Sequence, residues 1–236
     1  SINLVDGVNG LSSGYCIMAC TIFGILFHLA GEEAMTILAV VSVGALIPFF
    51  LHNVFGKTSK MFIGDGGTLV MGTVMSVFVI AILQSGSRVA AFVDPNVGLV
   101  PFTLAVLSVP VFDTLRVMST RMLKGSSPFR PDKTHLHHMF IDMGCSHVAT
   151  TLAILGLNTS VVLCWWAFEA VGFSIAVQLY AVVGMSLLST FGLYHFMQWH
   201  IRRDTKFMGV IRRLGYKTHI SRTGIFFWLQ QVMDKV

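Results

Sequence analysis

Arg121-Met122-Leu123-Lys124-Gly125-Ser126-Ser127-Pro128-Phe129-Arg130-Pro131-Asp132-Lys133-Thr134-His135-Leu136-His137-His138 is a polar connection between two strongly apolar segments. It combines Arg121, Lys124, Arg130 and Lys133 with Asp132 and the imidazoles of His135, His137 and His138. Guanidinium forks and ammonium groups bind phosphate oxygens. Imidazoles donate to the same oxygens or ligate a metal. A basic cytoplasmic loop that sets topology would account for the charges alone. It would not account for three histidines within four residues.

Outward from this loop, the chain is built of apolar runs. A bilayer-spanning helix needs about 20 mostly apolar residues. Six runs qualify: 14–31, 35–52, 67–85, 99–118, 148–170 and 174–197. The whole chain is 54% hydrophobic and 11% charged, with mean hydropathy +0.75. Soluble domains carry roughly 25% charged residues. The expected fold is therefore an all-α integral membrane protein, a polytopic helix bundle with about six spans. The division expected is a transmembrane region over 1–197 and a basic cytoplasmic tail over 198–236, with Ile225-Phe226-Phe227-Trp228-Leu229 as an interfacial helix. The basic residues sit in connections and tail, as membrane topology requires, so the basic pI near 9.2 does not argue for nucleic acid. Cys16, Cys20, Cys145 and Cys164 have no metal-ligand spacing. Cys16 and Cys20, one helical turn apart, read as packing residues.

Six spans put every strongly basic connection on one side. Lys57 and Lys60, the four cations of the histidine loop, and the tail from Arg202 to Lys235 share it. The other side holds Arg88 as its only basic residue, with Glu32, Glu33, Asp94 and Glu169. The basic side is expected to be cytoplasmic. The chain opens at Ser1, without Met and within a polar stretch, which suggests a longer protein.

Two more polar clusters share the basic side. Asn3-Leu4-Val5-Asp6-Gly7-Val8-Asn9-Gly10-Leu11 contains Asp-Gly and Asn-Gly turn pairs. Asn3 and Asp6 would share a face if helical. Asn53 to Thr68 contains Phe62-Ile63-Gly64-Asp65-Gly66-Gly67-Thr68. Asp65 at a helix start is either a cap or a ligand for a hard cation. Asp113 and Arg116, at i, i+3 in the fourth run, read as a structural pair. The remaining histidines, including His147, read as structural. Carboxylates, cations and amides gathered at one membrane face suit phosphoryl transfer on a diphosphate. No Walker-type signature is present, so nothing supports an ATP-driven reaction.

These motifs resemble those of the polyprenyl-phosphate N-acetylhexosamine-1-phosphate transferases, a superfamily that includes the phospho-MurNAc-pentapeptide translocase. The 3–11 stretch resembles N-x-x-D-G-x-D-G-L, and 62–68 resembles F-x-G-D-x-G-[ST]. Ser127 to His138 resembles S-P-x-x-P-D…H-[IL]-H-H, in the form of the branch acting on UDP-N-acetylhexosamines. The resemblance implies transfer of an N-acetylhexosamine-1-phosphate from a UDP-sugar to undecaprenyl phosphate at the cytoplasmic face of a bacterial inner membrane. UMP would leave, and lipid-linked envelope glycan synthesis (lipopolysaccharide or cell-wall polysaccharide) would begin. It implies Mg²⁺, with Mn²⁺ as the alternative ion, and leaves room for a homodimer. Asp65 would ligate the metal and Asp6 would be a second catalytic carboxylate. Asn3, Asn53 and Phe62 would bind substrate, with Phe62 stacking on uracil. Arg121, His135, His137 and His138 would bind the diphosphate and sugar. The chain departs from the pattern at Asn9, where the family has Asp, and it lacks the family's earlier Asp-Asp pair. It is therefore expected to be the C-terminal part of a larger bundle. Competing readings are a non-catalytic relative, a membrane histidine-box metal oxygenase, which needs several boxes, and a transporter, which would place its charges near the midplane.

Overall fold

The computed structural model describes residues 7–128, 134–203, 205–217 and 224–235. In chain order the helices are α1 (Leu11–Leu29), α2 (Glu33–Phe55), α3 (Gly64–Leu83), α4 (Arg88–Phe92), α5 (Leu99–Val106), α6 (Ser108–Leu123), α7 (Leu136–Asp142), α8 (His147–Ala170), α9 (Ile175–Leu187), α10 (Leu193–Arg203), α11 (Lys206–Lys217) and α12 (Ile225–Met233). No strand occurs among the described residues. Among the described residues five helical segments are long and apolar enough to cross a membrane, or six if the bent pair α5–α6 is counted as one span. The chain is a polytopic all-α membrane protein.

Helix α1 is the centre of the bundle: 61% of its most apolar stretch is buried, against 11% for α2. Its small and aromatic residues Tyr15, Cys16, Ala19, Cys20, Phe23 and Phe27 are all buried. Phe23 meets Phe78 of α3 and Phe102 of α5 edge-on, with ring centroids 5.9 Å apart in each pair. Phe102 continues the stack to Trp165 of α8 at 4.9 Å. Lipid tails are as apolar as these side chains, so close packing and interhelical hydrogen bonds carry the association.

The apolar run 99–118 reads in sequence as one span, and the structure bends it by 74° between Val106 and Ser108. The cause is local chemistry supported from afar. Pro110 has no N–H to give the Val106 carbonyl four residues earlier. That carbonyl instead accepts from Tyr15 Oη at 2.7 Å and Asn158 Nδ2 at 3.0 Å. Asn158 Oδ1 accepts from the Val109 N–H at 3.1 Å and the Ser108 hydroxyl at 2.9 Å. Backbone freed by the break is thus satisfied by protein, the condition for irregular backbone at membrane depth. The sixth span also departs from a plain α-helix, through a π-turn at Leu188–Gly192.

On the sparsely charged side, Gln178 fastens the connections. Its Oε1 accepts from Gly98 N–H and Trp165 Nε1, and its Nε2 donates to the Asn96 and Phe173 carbonyls. On the basic side two small apolar clusters seat the polar loops. Leu136, Met139 and Met143 pack with Tyr194, Met197 and Met208, joining α7 to α10 and α11. Val8 and Leu11 pack with Val109 and Ile154.

Candidate active site

Three polar segments converge on the basic side. The turn 7–10 precedes α1, and its last residue, Gly10, has φ 75°. A side chain there would be strained and would collide with Val54 and Phe50. The Gly10 N–H donates to Asn53 Oδ1 at 2.5 Å, and Asn53 Nδ2 donates to the Met61 carbonyl at 2.6 Å. Asn53 is buried and its amide ties the turn to the loop before α3. The Thr151 hydroxyl donates to the Asn9 carbonyl, and His147 Nδ1 lies 3.4 Å from the Asn9 N. His147 and Thr151 thereby fix the turn to α8.

The loop then presents Phe62 and Asp65. The Phe62 ring is 73% exposed, with Lys60 Nζ 5.3 Å from its centroid. Asp65 lies exposed in the first turn of α3. The Thr68 hydroxyl reaches the carbonyls of Gly64 and Asp65. Among the described residues no hydrogen bond or ion pair joins the Asp65 carboxylate to the histidines.

The histidine segment is built on Asp113. Its Oδ2 lies 2.9 Å from His135 Nδ1, and its Oδ1 accepts from Arg116 Nη2 at 2.8 Å. Both oxygens face the Leu136 N–H at 3.3 Å. Arg116 Nη2 also donates to the Thr134 carbonyl at 2.6 Å, while its Cζ stands 3.9 Å over the Tyr194 ring. A carboxylate only accepts, so His135 Nδ1 carries the proton and Nε2 faces away from Asp113. The His135 and His137 rings lie nearly parallel, 5.8 Å apart, and His138 meets His137 at 4.2 Å. Any side chain at Gly7 would overlap His137 Nε2, so the turn and the histidines are adjacent.

Three buried nitrogens of this cluster lack a hydrogen-bond partner among the described residues: Arg116 Nη1, His135 Nε2 and His137 Nε2. Unpaired buried polar groups are costly and call for an explanation. Burial first, and then His138 and His135 alongside, push His137 down to about 3, so its ring is neutral at neutral pH. Arg121 is buried and donates from Nη1 to the Pro128 carbonyl, steadying the loop that leads to the histidines. No group of three or more His, Cys, Asp or Glu is placed to hold a metal among the described residues.

Asn53, Phe62 and Asp65 thus belong to one loop system, and His135, His137 and His138 to another, with Gly7 and Gly10 touching each. Asn3 and Asp6 lie outside the described residues, as do Arg130 and Lys133. The pair read from sequence as structural, Asp113 and Arg116, does form. What sequence reasoning missed is its second task of holding His135 and Thr134. The available signal was an ionisable pair inside an apolar span.

Residues 1–83 match the family model for glycosyl transferase family 4. Over 146 residues the chain is 29% identical to an undecaprenyl-phosphate alpha-N-acetylglucosaminyl 1-phosphate transferase of Yersinia pestis, covering 61% of this chain and 38% of that protein. The corresponding Escherichia coli K12 protein is 26% identical over the same shares. A probable undecaprenyl-phosphate N-acetylglucosaminyl 1-phosphate transferase of Bacillus subtilis is 28% identical over 154 residues, 65% of this chain and 40% of that protein. The chain spans about two-fifths of the length of these relatives. No solved structure matches. The motif resemblance and the comparisons agree: over 61% of its length the chain is similar to undecaprenyl-phosphate N-acetylglucosaminyl 1-phosphate transferases.

Proposed function

We propose that this protein transfers an N-acetylhexosamine-1-phosphate from a UDP-sugar to undecaprenyl phosphate, releasing UMP. The observation that carries this reading is the trio of buried, unpartnered nitrogens on Arg116, His135 and His137 beside the 7–10 turn. A guanidinium and an imidazole N–H suit the oxygens of a diphosphate, and an imidazole lone pair suits a hydroxyl of its sugar. In the reaction a lipid phosphate oxygen bonds to the sugar-bearing phosphorus. The bridging P–O bond breaks, and its electron pair leaves on UMP.

A groove supports the lipid as acceptor. It has a volume of about 630 Å³ and is lined by Thr68, Gly72 and Ser76 of α3 with Pro110 and Val111 beyond the bend. It starts one turn from Asp65 and runs along apolar helix surface, where a prenyl chain would lie. Phe62, exposed and flanked by Lys60, offers a ring face for a base. Asn53 holds the loop that presents it.

Mg²⁺ binds through one or two carboxylates and otherwise through water and substrate phosphates. The exposed Asp65 carboxylate fits such a single protein ligand, with Mn²⁺ as the alternative ion. The ion would neutralise charge on the diphosphate. Arg116 would hold the diphosphate oxygens, His137 would meet them as a neutral ring, and His135 would accept from a sugar hydroxyl through Nε2, since Nδ1 carries the proton. Asp6 would supply a second carboxylate and Asn3 a substrate contact. Arg121 and His138 would complete the sugar-phosphate surroundings. The basic connections support a cytoplasmic position for this face, at the bacterial inner membrane, where the product would start envelope glycan synthesis.

The test uses the full-length protein in detergent with undecaprenyl phosphate, Mg²⁺ and a panel of UDP-amino sugars. Mg²⁺-dependent UMP release with one donor is the expected result. Folded protein that releases no UMP from any donor would overturn the proposal in favour of a non-catalytic relative.

A further inference from the structure

The chain's last described helix reaches back to the loop that carries Phe62. Asp234, directly after α12, places Oδ1 2.9 Å from the Lys57 N–H, 3.0 Å from that of Thr58 and 3.2 Å from that of Ser59. The Ser59 hydroxyl lies 3.2 Å from the same oxygen and 3.0 Å from the Met233 carbonyl. His52 Nδ1, on the last turn of α2, is 3.2 Å from that hydroxyl. Successive N–H groups converging on one oxygen form an anion-binding nest. Here a carboxylate about 175 residues downstream fills it.

The consequence is a loop pinned at two points. Asn53 grips it at the Met61 carbonyl, and Asp234 grips it at residues 57–59. Phe62 and Asp65 follow directly. Among the described residues, the other side chain that reaches residues 57–59 is His52, from the adjoining α2. The three N–H groups, that of Lys57 foremost, lower Asp234 to about 2. It is therefore ionised throughout the neutral range, and the grip is permanent rather than a pH switch.

We propose that Asp234 is a positioning residue, by which the C-terminal helix holds the 57–59 loop so that Phe62 and Asp65 meet the nucleotide-sugar already ordered. This rests on the transferase reading above. A preordered loop lowers the ordering cost of binding, so the effect belongs in the KM for the UDP-sugar rather than in kcat.

Two measurements on the full-length protein test this. In Asp234→Ala, amide exchange in a peptide covering residues 57–59 is expected to rise, because three donors lose their acceptor. The KM for the UDP-sugar is expected to rise roughly 5- to 10-fold, with kcat held within about 2-fold. Asp234→Asn, which keeps an acceptor oxygen, should fall between the two, and it carries the same test should the alanine variant not fold. Unchanged exchange would overturn the grip itself. Raised exchange with unchanged KM would overturn the positioning role. A wild-type protein inactive on every donor would take the positioning role down with the transferase reading, while the exchange arm still decides the grip.

Discussion

Asp113 Oδ2 lies 2.9 Å from His135 Nδ1, across 22 residues of chain. The contact joins the membrane-embedded α6 to the first histidine of the polar loop. Carboxylate and imidazole are both buried. One proton position on His135 is therefore set by a buried carboxylate, as in hydrolase triads, where such a group fixes the tautomer of its histidine.

Asp113→Asn keeps the shape but removes the pure acceptor. UMP release is expected to fall about 10²-fold in kcat, the range for a substrate-positioning group moved out of place. The buried Arg116 also loses its counter-charge, a loss that costs about 3–5 kcal/mol when a buried pair is broken. The thermal midpoint in detergent should therefore fall as well. Unchanged kcat in folded protein would remove Asp113 from the site.

Asp65→Asn is expected to abolish transfer, a loss of roughly 10²-fold or more, while leaving the protein folded and inserted. The Asp65 side chain is exposed, and surface changes of this kind stay within about 0.5 kcal/mol. Retained activity would show that this carboxylate does not serve the metal.

His137 carries a pH prediction. The unfolded chain takes up this proton near pH 6.5, whereas the folded ring takes it up only at about 3. Between those values the unfolded state binds more protons, so stability falls as pH is lowered through the window and is regained above it. The thermal midpoint should drop more between pH 7 and pH 5 in wild type than in His137→Ala. Equal drops would mean that the ring takes up its proton normally. At neutral pH, His137→Ala should also raise the KM for the UDP-sugar or lower kcat, and unchanged kinetics would reduce the loop to a topology signal.

Asn158→Leu tests the broken span. It leaves the Val109 N–H without an acceptor and the Val106 carbonyl with Tyr15 alone. A loss of about 1–3 kcal/mol is expected, the cost of a stranded buried group. It would be read from the midpoint of thermal denaturation in detergent. An unchanged midpoint would mean that the break satisfies itself.

Hydropathy alone made the spans legible, because about 20 apolar residues in a row have few other uses. It could not show the bend. Pro110 is visible in sequence, but the partners that make a break tolerable, Asn158 and Tyr15, come from other helices. Within the site, the His135–His138 cluster stood out by density. Asp113 and Arg116 did not, because an i, i+3 pair already looks complete. Only the fold brings Thr134, His135 and Tyr194 around them. The grip of Asp234 on residues 57–59 was equally hidden, since a carboxylate in a basic tail announces no partner.

The ring of Tyr194 lies beneath the Arg116 guanidinium at 3.9 Å, which makes the sixth span a floor of the site as well as a membrane crossing. That bears on how topology is mapped. A reporter fused between the histidine loop and Tyr194 could still score correct insertion, yet the cluster beneath it would be open from below. Insertion and assembly are separate readouts in this chain, and only fusions placed beyond Tyr194 can report on both.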